Sequence, residues 1–116
     1  MTKPFHQLFR ESEAEYRPTE FPGIVSTTSV TDGGMTSLGG GFVKWIEDGA
    51  EISEVHQHDE VIIVLEGETK ISTPDGQVTI GKGGSIIVRN GTPAVHTATA
   101  GTTTFYVILL RADERA

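Results

Sequence analysis

Short runs of β-forming residues, each closed by a glycine-bearing turn, recur from Phe21 onward and constrain this chain more than any other feature. Ile24–Val30 leads to Asp32-Gly33-Gly34, and Phe42–Ile46 leads to Asp48-Gly49. Ile52–His58 and Val61–Leu65 precede Glu66-Gly67, and Thr69–Ser72 precedes Pro74-Asp75-Gly76. Val78–Ile80 runs into Gly81-Lys82-Gly83-Gly84, Ile86–Val88 into Asn90-Gly91, and Thr103–Leu110 closes the series. Strands this short, punctuated by Gly, Asp and Pro, predict an all-β sandwich or barrel. Thr73-Pro74-Asp75-Gly76 is the clearest hairpin, because proline fixes φ and glycine accepts a positive φ.

Residues 1–20 read differently. Phe5, Leu8 and Phe9 form a short apolar stripe at helical spacing, followed by charges and Pro18. One or two helical turns, or a partly ordered terminus, both fit that pattern. The expected organisation is an N-terminal arm over 1–20 and a single β-barrel domain over 21–116.

At 116 residues the chain suffices for one domain and is too short for two. Its formal net charge of -7 argues against nucleic acid, whose phosphates call for clustered Lys and Arg. The absence of cysteine excludes a disulfide scaffold, a thiolate nucleophile and a Cys-ligated zinc. No stretch approaches the apolar length of a membrane span, and Lys3 has no apolar segment behind it to make a secretory signal. A cytoplasmic location without membrane partners is the expectation.

Val61–Leu65, Ile86–Val88 and Val107–Leu110 are apolar at successive positions rather than alternate ones. Such strands should be covered on both faces, and a chain this short has little second sheet to spare. This predicts a homodimer packed through strands or sheets.

The chemistry concentrates in "SEVHQHDEVIIVLEG", residues 53 to 67. Glu54, His56, His58 and Glu60 share parity, so on one extended strand all would face the same way. His96 follows the turn at Asn90–Pro93, on a later strand that an antiparallel barrel can bring alongside. Three imidazoles and a carboxylate could hold a divalent transition metal: Zn, Fe, Mn, Ni or Cu. The same residues on an exposed strand could equally serve solubility. Trp45 and Tyr106 are candidate ligand-binding walls, since each carries a polar tip that needs a partner when buried.

The segment from Gly49 to Gly67 resembles the first motif of the cupin superfamily: a glycine, His-X-His, a spaced glutamate and a closing glycine. Glu60 and Gly67 match it, and "VLEGE", 64 to 68, is its usual ending. "GGSIIVRNGTPAVH", 83 to 96, resembles the second motif through Gly83 and Gly91. The resemblance implies a cupin (RmlC-like) double-stranded β-helix, or jelly-roll barrel. Carried over strictly, it keeps His56 and Glu60 as metal ligands and puts Glu54 at the first histidine's position. His58 is then an additional histidine. Arg89 stands where the second motif has proline, Ala94 where it has histidine, and His96 lies two residues further on. His58 and His96 could restore a displaced three-histidine site.

"GGGFVKW", 39 to 45, "DEVIIVLEGE", 59 to 68, and "TTTFYVILL", 102 to 110, are similar to the ethanolamine-utilisation Q-type cupins. That resemblance implies a small dimeric barrel, a link to small-molecule catabolism and an incomplete histidine set. Three readings follow. One is a metal-dependent enzyme of dioxygenase, isomerase or decarboxylase type, with His56, His58, Glu60 and His96 as ligands or Glu60 as general base. The second is a metal-free pocket for a small polar metabolite. The third is a structural dimeric module.

Overall fold

The computed structural model describes residues 5–34 and 37–110. Its strands are β1 (Arg17–Pro18), β2 (Ile24–Ser26), β3 (Leu38–Trp45), β4 (Glu51–Val55), β5 (Asp59–Glu66), β6 (Glu68–Thr73), β7 (Gly76–Gly81), β8 (Ser85–Val88), β9 (Pro93–Ala98) and β10 (Thr103–Leu109). They build a six-stranded sheet, ordered β1-β2-β3-β10-β5-β8, and a four-stranded sheet, ordered β4-β9-β6-β7. Every pairing is antiparallel. From β3 onward the chain changes sheet at each connection except the β6–β7 hairpin. This is the expected all-β jelly roll, with side chains of the two inner faces forming the core between the sheets.

The hairpin is where the turn chemistry put it. Thr73 pairs with Gly76, the Thr73 hydroxyl accepts from the Asp75 N–H at 3.1 Å, and Gly76 takes φ 118°. Three local expectations differ. The Ile24–Val30 run stops at Ser26, because the Thr27 hydroxyl accepts the Phe42 N–H and Ser29–Asp32 turns into one short helix, α1. The apolar stripe of the arm is not helical; among the described residues the turn that follows it is a 3-10 turn at Glu11–Glu13. The third difference is functional: β4 ends at Val55 and β5 begins at Asp59, so no single strand carries Glu54 through Glu60.

The core is two apolar clusters with a polar layer between them. Ile62, Ile71, Val88 and Ala94 form one, with Tyr106 against its edge. Ile24, Trp45 and Ala98 form the other, with Phe21, Val43 and Ile52 against it. Trp45 satisfies its indole N–H on the Ala50 carbonyl at 2.9 Å, so its burial leaves no orphan donor. The arm joins the barrel at Arg17 and Pro18, which pair with Ser26 and Val25. On the far face of the larger sheet the chain leaves Val61, Ile87 and Leu109 exposed.

Gly67 makes the corner between β5 and β6 at φ 77°. A Cβ there would meet the fully buried Thr102 at its hydroxyl and at Cα, the latter at 2.9 Å. Gly49 has a similar φ of 74° with nothing near its missing Cβ. Gly67→Ala should therefore cost about 2–4 kcal/mol, strain plus clash, and Gly49→Ala about 1 kcal/mol, strain alone. Urea unfolding midpoints of the two variants check this; equal losses would show that Thr102 yields freely.

Candidate functional site

Along β9 the inward positions are Ala94, His96 and Ala98, all buried, and the positions between them are less so. The two alanines leave volume for an imidazole, which places His96 in the layer between the apolar clusters. His56 lies one residue beyond β4, yet its main chain is pinned on both sides. Its N–H donates to the Thr92 carbonyl at 2.9 Å, and its carbonyl accepts from the Gly91 N–H at 2.7 Å. The turn before β9 thus holds His56 against the strand that carries His96. Glu60 sits at the start of β5 and shares the inner face with Ile62 and Val64.

These three side chains form a relay. His56 Nδ1 is 3.2 Å from Glu60 Oε1, and His56 Nε2 is 3.0 Å from His96 Nε2. Both imidazoles are almost fully buried, at 3% and 5% exposure. The hydrogen bond that His56 donates to Glu60 raises the pKa of His56 above the ordinary histidine value, against the opposing effect of burial. Burial, and then the neighbouring His56, push His96 down to about 4. Two protonation states satisfy both contacts: His56 donates from Nδ1 to Glu60 in each, and its Nε2 either donates to a neutral His96 or accepts from the His96 Nε2–H. The two environments thus move the two imidazoles in opposite directions.

The relay floors a cavity of about 40 Å³ lined by Trp45, Ile52, Glu54, Ile62, Thr69, Thr104 and Tyr106. That holds a water or two, not a metabolite. It shares Val43, Ile52, Glu54, Glu60 and Tyr106 with a cleft of about 380 Å³ whose other wall is Pro18–Phe21 of the arm. The cleft has the size of a small-molecule site. Glu54 is raised from its ordinary value, first by burial and also by the like charges of Glu60 and Glu20, with His56 opposing. Tyr106 is raised by burial and by the same Glu60 and Glu54.

Of the sequence candidates, Glu54, His56, Glu60, His96, Trp45 and Tyr106 all line this cavity. His58 does not: it lies in the loop between β4 and β5, where strand parity no longer sets its direction. Arg89 borders a separate hollow with Ile71, Val78 and Ile86. Glu20 and Phe21 were not anticipated, and nothing in their spacing points to a site more than 30 residues away in sequence. Thr69 and Thr104 likewise carry no pattern.

A transition-metal ion on imidazole sits about 2.0–2.1 Å from each nitrogen and takes three or more protein donors. Here two Nε2 atoms face one another, and the second nitrogen of His56 is engaged by Glu60. Among the described residues no group of three or more His, Cys, Asp or Glu side chains is gathered so as to hold an ion.

Solved structures give the comparison. KdgF from Halomonas sp. superposes with a TM-score of 0.76 at 18% identity, over 95% of this chain and 100% of that one. The fold is that of the cupins. A cupin-superfamily sugar phosphate isomerase from Silicibacter pomeroyi DSS-3 gives a TM-score of 0.73 at 21% identity, over 90% of this chain and 76% of that one. A Salmonella typhimurium LT2 protein assigned as ethanolamine utilization protein Q gives 0.76 at 19%, over 88% and 84%. The Q-type likeness read from the sequence is thus supported at the level of the cupin fold. No protein-family model matches the chain, and the comparison with curated proteins finds no match. No helix among the described residues is long and apolar enough to cross a membrane.

The relay makes stability depend on pH in two directions. His96 has a folded-state pKa near 4, below the unfolded value of 6.5, so its contribution is complete above pH 6.5 and is lost as the pH falls toward 4. The span corresponds to about 3 kcal/mol. His56 has a raised folded value, so its contribution is complete below pH 6.5 and is lost as the pH rises through that value. Urea unfolding of wild type and His96→Leu from pH 8 to pH 4.5 should show a shallower acid-side loss in the variant. Parallel profiles would mean that His96 is charged in the folded protein.

Proposed function

We propose that this cupin binds a small, uncharged or cationic polar metabolite and moves a proton on it without a resident metal. The observation that carries the reading is the buried Glu60–His56–His96 relay at the junction of cavity and cleft. Glu60 is the relay member that lines both the cavity and the cleft. It would accept a proton from the ligand, and the His56–His96 pair behind it would take up the change in charge. Tyr106, on the same wall, would hydrogen-bond a ligand oxygen. A positioned base of this kind supplies about 10²–10⁴ in rate, the scale of an isomerisation next to a carbonyl.

Charge narrows the ligand. The cleft is lined by Glu20, Glu54 and Glu60 and by no Lys or Arg. An anion would enter against three carboxylates. The Silicibacter isomerase acts, by its name, on a sugar phosphate; the reading carried here is a hydroxy-carbonyl compound without the phosphate.

Saturation-transfer NMR against paired probes, neutral sugars and hydroxy-ketones beside their phosphate esters, tests the selectivity. Neutral probes should bind and their phosphates should not; preferential binding of phosphates would sink it. Solvent deuterium exchange into a bound hydroxy-ketone should fall by about 100-fold or more in Glu60→Gln. Near-stoichiometric transition metal in the untagged protein, lost in His96→Ala, would instead return the site to the metal-dependent reading.

A further inference from the structure

The two sheets share no ladder, and at one side of the barrel β7 ends the smaller sheet while β8 ends the larger. A hollow of about 270 Å³ opens there. Its floor is apolar: Ile71 and Val88, both buried, with Ile86 packed against them. Val78 on β7 stands directly opposite Ile71 on β6, so the two side chains share the inner face. Ile71 is fully covered, yet Val78 is 47% exposed. An inward-facing aliphatic side chain left that open borders space that no described residue fills.

The rim carries one charge of each sign. Asp75 lies in the turn between β6 and β7 and Arg89 just past the end of β8, and both line the hollow. Neither has an ion-pair partner among the described residues. A matching ligand therefore needs an anionic group for the guanidinium, a cationic group for the carboxylate and a branched apolar body for the floor. Drug-sized sites run to about 300–1,000 Å³, so a hollow just under that range suits a molecule of amino-acid size.

We propose that this hollow binds a free α-amino acid with a branched aliphatic side chain. Its carboxylate meets Arg89, its ammonium meets Asp75, and its side chain lies on Ile71, Val78 and Ile86. The site is separate from the cleft and does not rest on the proton transfer assigned there. The two are joined through the main chain. The Thr92 N–H donates to the Arg89 carbonyl at 3.1 Å, and the same turn holds His56, whose N–H donates to Thr92 at 2.9 Å and whose carbonyl accepts from Gly91 at 2.7 Å. A ligand that draws on Arg89 is thus felt at the His56 amide.

Titration of the ¹⁵N-labelled full chain with L-leucine should give saturable shifts at the Val78, Arg89, Thr92 and His56 amides, with a Kd of about 0.1–1 mM. 4-Methylpentanoate lacks the ammonium and 3-methylbutylamine lacks the carboxylate; each should bind at least about tenfold more weakly than leucine. Glycine, without the apolar body, should lose roughly as much. Arg89→Gln and Asp75→Asn, both at exposed positions, should each weaken leucine by about tenfold or more with an unchanged far-UV spectrum. The absence of saturable shifts up to about 10 mM leucine would overturn the proposal. So would equal affinity for either truncated analogue, leucine binding indifferent to both variants, or shifts confined to Phe21, Val43 and Tyr106 of the cleft. A Val78→Lys variant that sediments as a smaller species than wild type would show that another protein chain, not an amino acid, covers the hollow.

Discussion

A buried imidazole must find a hydrogen-bond partner, and in this barrel His96 finds another imidazole. Much of the site follows from that contact. His96 can be accommodated because Ala94 and Ala98 flank it on β9 and keep the layer open. His56 can reach it because the turn before β9 holds the His56 main chain at both its N–H and its carbonyl. Glu60 then completes the line from the side of β5, so that the hydrogen-bonded line joins groups contributed by both sheets. The polar layer splits the core into two clusters and leaves a small cavity between the sheets.

The arrangement departs from the ligand pattern of the cupin motifs that the sequence resembles. Ala94 stands where the second motif has histidine, and His96, two residues on, faces the same interior. The shift moves the imidazole along the strand without changing its face. It brings the imidazole within 3.0 Å of the His56 Nε2. The arm contributes as well. Glu20 and Phe21 line the cleft from the side of the arm, and Glu20 adds to the carboxylate field around Glu54.

Most of the strands were legible because glycine and proline mark where a chain can turn, and β-branched residues fill what lies between. The β6–β7 hairpin and the corner at Gly67 are cases in which a local steric rule decides the local structure. Parity failed for His58 because it assumes an unbroken strand, and residues 56–58 connect strands of opposite sheets. The helical reading of Phe5, Leu8 and Phe9 failed because spacing records which side chains could share a face, not whether a segment that short has anything to pack against.

The sequence by itself determined an all-β barrel, the inward chemistry of His56 and Glu60, and strands apolar on both faces. These follow from residue type and period, which act over a few neighbours. Only the tertiary structure decided that His96 meets His56, that His58 is not among the residues lining the cavity, and that the arm walls the cleft. Those outcomes depend on how two sheets sit against each other, and distances between residues forty positions apart are set by packing, not by spacing along the chain.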